Sequence, residues 1–298
     1  MTVLVNIILP ILLMAGLGFL LDRWLDLDIH TLSRVTFYLL SPCLAFSSLS
    51  TTQLDRRVLF QMAAVAMLVV LALWLAASWA TRALKWQGAD RSAFLLTVLF
   101  MNTGNYGLPL NLFAFGETGL ALAIVFFVTI SLLTNTFGVY IAARGHADSR
   151  EALRRVLRVP IGYAVLLGLL VNVTALPVPT SVARATHLLG QAAVPVMLLV
   201  LGMQLARAAI KTEWGPITAA TLLRLLASSG LAILLVRLIG LQGVAAKVAI
   251  VQASMPTAVI TTILATEFDT RPEFVTGTVF VSTLASVLTL TVLLQWLM

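Results

Sequence analysis

The chain has 298 residues, 60% of them hydrophobic and 10% charged, with a mean hydropathy of +1.02. A soluble domain carries about a quarter charged residues, so this composition excludes one and defines an integral membrane protein. The formal charge of +7 does not call for nucleic acid, because basic residues between apolar spans account for it. One cysteine, Cys43, excludes an intrachain disulfide, and three scattered histidines, His30, His146 and His187, make no metal site.

Hydropathy divides the chain into ten spans of roughly 17 to 25 residues, the length a bilayer core requires. They fall near 3–21, 32–50, 58–81, 92–115, 118–142, 160–176, 185–206, 216–239, 244–266 and 274–297. The first lacks a basic leader and a small-residue cleavage site, and reads as a retained helix rather than a signal peptide. Ser41-Pro42 is expected to break the second span and Pro195 the seventh, since proline removes a donor and crowds the preceding turn.

The fourth span is interrupted by Asn102-Thr103-Gly104-Asn105-Tyr106-Gly107-Leu108-Pro109. Gly104 and Gly107 weaken a helix, and Pro109 pushes the residue before it toward extended geometry. Backbone freed inside a bilayer must be buried in protein or line a watery cavity, so this stretch marks an interior site. Asn102, Thr103 and Asn105 supply donors and acceptors there. On the fifth span, Ser131 and Asn135 are one turn apart and share a face, which either lines a cavity or joins helices.

Arg224 sits about nine residues into the eighth span. It reads either as snorkelling past Trp214 to the headgroups or as a fixed cation facing a cavity. The ninth span carries a second break, in which Gln252, Ser254 and Thr257 surround Pro256.

Prolines recur in the two halves of the chain: Pro10 and Pro160, Pro42 and Pro195, Pro109 and Pro256, at separations of 150, 153 and 147 residues. The sequence therefore divides into a first five-helix repeat over 1–143, a basic linker over 144–159 and a second repeat over 160–298. An odd number of spans per half inverts the second repeat relative to the first. This is the all-α, inverted-repeat plan of secondary transporters, with broken crossover helices 4 and 9 meeting near the bilayer midplane. Half-helix N-termini there carry partial positive charge, which suits an anion.

Basic residues set the orientation. Thirteen lie on one side (Arg23, Arg34, Arg82, Lys85, Arg91, Arg144, Arg150, Arg154, Arg155, Arg158, Arg207, Lys211 and Arg271) and five on the other (Arg56, Arg57, Arg184, Arg237 and Lys247). The expectation is a multi-pass protein of the inner or plasma membrane, both termini outside, with a cytoplasmic central loop beside anionic lipid.

The run Asn102-Thr103-Gly104-Asn105-Tyr106-Gly107-Leu108-Pro109-Leu110 resembles the Asn-Thr-Gly-Tyr-x-Gly-x-Pro-Leu signature of the auxin efflux carrier family, which includes plant auxin carriers and bacterial malonate-type transporters. Val251-Gln252-Ala253, Met255-Pro256 and Glu267-Phe268 resemble that family's ninth helix. The resemblance implies ten helices with a five-helix scaffold and a crossover pair, shared in outline with bile-acid/sodium symporters. It also implies a substrate site at the crossover prolines, a carboxylate-binding asparagine at Asn102, and a homodimer. The ninth span has Ser254 and Thr257 beside its proline and no asparagine, so no amide role carries over there. The long hydrophilic central loop of the plant carriers is absent.

The combined expectation is a transporter of a small organic anion, a mono- or dicarboxylate. Asn102, Thr103, Gly104, Asn105, Gly107, Pro109, Gln252, Ser254, Pro256 and Thr257 form its substrate site, and Ser131, Asn135 and Arg224 are candidate cavity-lining residues. No Asp or Glu falls squarely within a span, which leaves three forms of coupling open: a proton carried by substrate or Glu117, a sodium ion on freed carbonyls and hydroxyls, or uniport. A sodium symporter of another solute and a channel are the alternatives. No cofactor or metal is expected. The spans offer neither a nucleophile with its base nor a carboxylate pair, so an enzyme is not expected.

Overall fold

The computed structural model describes residues 3–25, 27–143, 154, 157–208 and 214–298. Most of the basic linker lies outside the described residues, including Arg144, His146, Arg150 and Arg155, as does Lys211. Regular structure among the described residues is helical. The elements are α1 Leu4–Leu25, α2 Ile29–Thr51, α3 Arg56–Ala83, α4 Gly88–Leu99, α5 Thr103–Ala142 and α6 Pro160–Thr174. They continue with α7 Thr180–Ala206, α8 Trp214–Ile239, α9 Gly243–Ala253, α10 Ile260–Glu267 and α11 Pro272–Leu297. Seven of them, α1, α2, α3, α5, α7, α8 and α11, are long and apolar enough to cross a membrane.

The expected fourth span is two helices, α4 and the first limb of α5, separated by the non-helical residues 100–102. At the end of that limb Gly116 has φ 65° and ψ −160°, which bends the 40-residue α5 sharply. The ninth span likewise resolves into α9 and α10 around residues 254–259.

Three prolines act differently from expectation. The helix runs on through Pro42 in α2 and through Pro195 in α7, and Pro109 lies within α5, past its opening π turn, rather than at the break. Pro10, Pro42 and Pro109 each stand two residues beyond a π turn, at Leu4–Ile8, Thr36–Leu40 and Thr103–Gly107. In those turns Leu9 N–H donates to Leu4, Ser41 N–H to Thr36 and Gly107 N–H to Asn102, one residue farther back than in an α-helix. The wider turn gives the pyrrolidine ring room that a straight helix lacks, so the helix survives the proline.

Packing sorts the helices into two groups that cut across the sequence halves. α1 lies against α7, α2 against α6, and α2 also against α7. Two glycines permit the α1–α7 contact. A Cβ on Gly18 would stand 2.1 Å from the Leu199 carbonyl oxygen, and one on Gly202 would stand 1.8 Å from that of Ala15. At the end of this crossing Arg207 grips Asp22 with Nε and Nη2 at 2.7–3.0 Å. The other group gathers α3, α4, α5, α8, α9, α10 and α11, with α9 packed on α5 and α8 on α3. The π turn Thr103–Gly107 of α5 faces α7 across the boundary between the groups.

Candidate functional site

The two breaks meet. Met101 lies opposite Thr257 in an antiparallel bridge. Its hydrogen bonds run from Asn102 N–H to the Pro256 carbonyl (2.7 Å) and from Ala258 N–H to the Phe100 carbonyl (2.9 Å). Each unwound segment thereby supplies the other with backbone partners that a bilayer cannot give. The ends of four helices converge on this bridge: the C-termini of α4 and α9 and the N-termini of α5 and α10.

Gly107 is the hub on the α5 side. Its N–H donates to the Asn102 carbonyl at 3.0 Å, and its carbonyl accepts from Asn111 Nδ2 at 2.8 Å. A Cβ there would fall 2.1 Å from Gln252 Oε1, so only glycine admits the glutamine at that distance. Gln252 reaches in from α9 and donates Nε2 to the carbonyls of Thr103 (3.3 Å) and Ala123 (3.1 Å), stitching the two limbs of α5 together.

Four buried polar atoms around this turn find no hydrogen-bond partner among the described residues: Asn102 Nδ2, Tyr106 Oη, Asn111 Oδ1 and Gln252 Oε1. Asn102 is 6% exposed and Gln252 not at all, and the Tyr106 hydroxyl faces Ser286 of α11 without hydrogen-bonding geometry. Leaving a buried polar group unpaired costs about 1–3 kcal/mol, so four such atoms on and around one turn set it apart from the fully bonded backbone beside it. Gly104 and Asn105 are half-buried beside it and Thr103 is buried. Pro109 follows in the first turns of the helix.

Around Pro256, the hydroxyls of the second break are engaged. Thr257 Oγ1 donates to the Thr97 carbonyl (2.9 Å), and Thr257 N–H donates to Ser282 Oγ (3.1 Å). Ser254 Oγ donates to the Ile250 carbonyl and accepts from Ser229 Oγ, both at 2.7 Å. Pro256 contributes its carbonyl to the bridge.

Arg224 is wholly buried at the crossover, neither reaching headgroups nor exposed to a cavity. Nη1 donates to the carbonyls of Val98 (2.7 Å) and Leu99 (3.4 Å), and Nη2 to that of Ala253 (2.5 Å) and to Ser228 Oγ. Ser131 and Asn135 are bound within their own helix, Asn135 Nδ2 donating to the Ser131 carbonyl at 2.8 Å, and they do not join this cluster through hydrogen bonds. A separate cleft of roughly 160 Å³, lined by Trp86, Asp90, Pro216, Arg271 and Phe274, opens near the far end of α4, about 18 Å of helix from the break.

Residues that sequence reasoning missed were legible only in part. Tyr106 stands inside the glycine-rich run, and Asn111 is one turn beyond Gly107. Thr278, Ser282 and Ser286 recur every fourth residue on α11, all buried, a polar stripe facing inward in an apolar helix.

A buried crossing of two broken helices within a bundle of apolar helices defines a multi-pass membrane transporter. The chain belongs to the membrane transport protein family, Mem_trans, whose model matches residues 3–294, the family of the auxin efflux carriers resembled by its two breaks. It is 28% identical over 291 residues to an uncharacterized transporter of Methanothermobacter thermautotrophicus, covering 95% of each chain. It is also 28% identical over 200 residues to an uncharacterized transporter of Methanocaldococcus jannaschii, covering 65% of this chain and 64% of that one.

Proposed function

We propose that the protein is a secondary transporter that carries a small organic anion, a mono- or dicarboxylate of the malonate or auxin type, by alternating access. The carrying observation is the unpartnered Nδ2 of Asn102, buried where two breaks pair and a helix begins. A carboxylate placed there accepts from the amide and from first-turn N–H groups, in the field of a helix N-terminus. Asn102, Thr103, Gly104 and Asn105 form its near wall and Gly107 and Gln252 its floor; Ser254, Pro256 and Thr257 hold the second break in register. All of these residues except the half-buried Gly104 and Asn105 are closed to solvent, so a substrate reaches Asn102 when the α5 group moves against α7 at the boundary the π turn faces.

The reading of ten spans as two inverted repeats draws on recurring local geometry. The α3–α4 and α8–α9 connections, 155 residues apart, share a left-handed residue (Lys85, Gly240), then an extended glutamine (Gln87, Gln242), then a left-handed glycine (Gly88, Gly243). Trp86 N–H to Thr81 at 2.9 Å is echoed by Leu241 N–H to Val236 at 3.0 Å. Gly18 of α1 packs on Leu199 of α7, and Gly168 of α6, 150 residues later, packs on Phe46 of α2. The basic-residue asymmetry keeps both termini outside, with 144–159 inside. Thermal unfolding of the purified protein against malonate, indole acetate and other carboxylates tests the substrate class, since a ligand of the native state raises stability with the logarithm of its saturation. A carboxylate-specific rise that vanishes in Asn102→Ala supports the reading, and no rise with any anion overturns it.

A further inference from the structure

We infer that Arg224 is a resident cation that takes the place of a coupling sodium ion, so that the crossover holds together and works without one. The last carbonyls of any helix lack intrahelical partners and carry roughly half a negative charge together. Two such ends meet here, that of α4 at Val98 and Leu99 and that of α9 at Ala253. The guanidinium lies between them with no exposure, one Nη on each end, and Ser228 Oγ donates to the Ala253 carbonyl as well at 2.6 Å. One fixed positive charge thus balances two half-charges from opposite halves of the sequence. Its planar fork suits the task, because it reaches both ends at once, which a point-charge ammonium does not.

The consequence concerns the ion. Unwound carbonyls and half-helix C-termini are where a sodium ion is coordinated in transporters with broken helices. In this protein those oxygens already accept hydrogen bonds from Arg224, Ser228 and, at the Thr97 carbonyl, Thr257. A sodium ion would have to displace a buried guanidinium from the carbonyls it holds. Arg224 also sits in a π turn, Leu223–Ala227, which advances its side chain relative to a straight helix. It is a positioning residue acting through backbone, not a substrate ligand. The inference goes beyond the carboxylate reading and does not depend on it, since neither arm of its test contains a carboxylate.

The test is the melting temperature of the purified full-length chain in sodium and in choline buffers of equal ionic strength, for wild type, Arg224→Ala and Arg224→Lys, with and without millimolar methylguanidinium. Wild type is expected to melt identically in both buffers. Arg224→Ala is expected to melt about 10 °C lower, as removal of a buried, hydrogen-bonded charge implies, and to regain part of that loss with methylguanidinium or sodium. Arg224→Lys, which retains the charge but reaches fewer carbonyls, is expected between the two and indifferent to sodium. Saturable stabilisation of wild type by sodium overturns the inference, as does Arg224→Ala melting like wild type or lacking any rescue. If Arg224→Ala does not fold, the sodium response of wild type and of Arg224→Lys decides alone. Loss of carboxylate binding with these results intact would overturn only the substrate reading.

Discussion

The two breaks pair with each other but use their polar side chains in opposite ways. At the first, Asn102 caps nothing and its amide nitrogen is unpaired, with orphaned oxygens of Asn111 and Gln252 nearby. At the second, Ser254 and Thr257 spend their hydroxyls on carbonyls of α9 and α4. The first break faces α7 across the group boundary, whereas the second lies among helices of its own group. Two segments that look equivalent in sequence therefore differ in how their polar groups are satisfied: the first keeps an unpaired amide, while the hydroxyls of the second are bonded to backbone carbonyls.

That contrast sets the order of expected effects. Asn102→Ala should lower transport more than tenfold while shifting the melting temperature by less than about 3 °C, because the side chain makes no protein hydrogen bond to lose. Proteoliposome flux alongside unfolding curves checks this, and a large stability loss with proportionate flux would make Asn102 structural. Gly107→Ala should impair both, by about 1–3 kcal/mol in stability, since the new methyl collides with Oε1 of Gln252, whose amide nitrogen is held by the Thr103 and Ala123 carbonyls. Retention of wild-type melting would show that Gln252 is free to move aside. Thr257→Val should cost about 1–3 kcal/mol by stranding the Thr97 carbonyl, with flux per folded molecule nearly unchanged. A selective change in substrate affinity in that variant would move the second break into the binding site. Ser254→Ala should cost about 1 kcal/mol at most, because Ser229 retains the Leu225 carbonyl as a partner.

Much of this was visible in the residues. The glycines, proline and amides of Asn102 to Pro109 pointed to an interior break, which lies at the start of that run, over 100–102, with Thr103 to Pro109 helical, and the Gln252–Thr257 stretch pointed to its partner. Composition alone fixed the membrane class. The prolines misled in detail, since hydropathy and propensity say nothing of π turns, and these turns let α2 and α5 pass Pro42 and Pro109 unbroken. Arg224 was ambiguous for a similar reason. Its depth in the span was plain, but apart from Ser228 one turn along its own helix its partners are main-chain carbonyls of α4 and α9, which leave no signature in side-chain identity. The orphaned atoms of Asn111 and Gln252 likewise depend on how neighbouring helices close over them, a matter of tertiary packing.

The glycine crossing of α1 and α7 has a bearing on how motion in this protein could be observed. With Gly18 against the Leu199 backbone and Gly202 against the Ala15 backbone, neither helix can slide without main chain running into main chain. The pair therefore serves as a fixed ruler within the bundle. Spin labels on these two helices should hold one separation through a transport cycle, and any label on α5, measured from them, reads displacement directly.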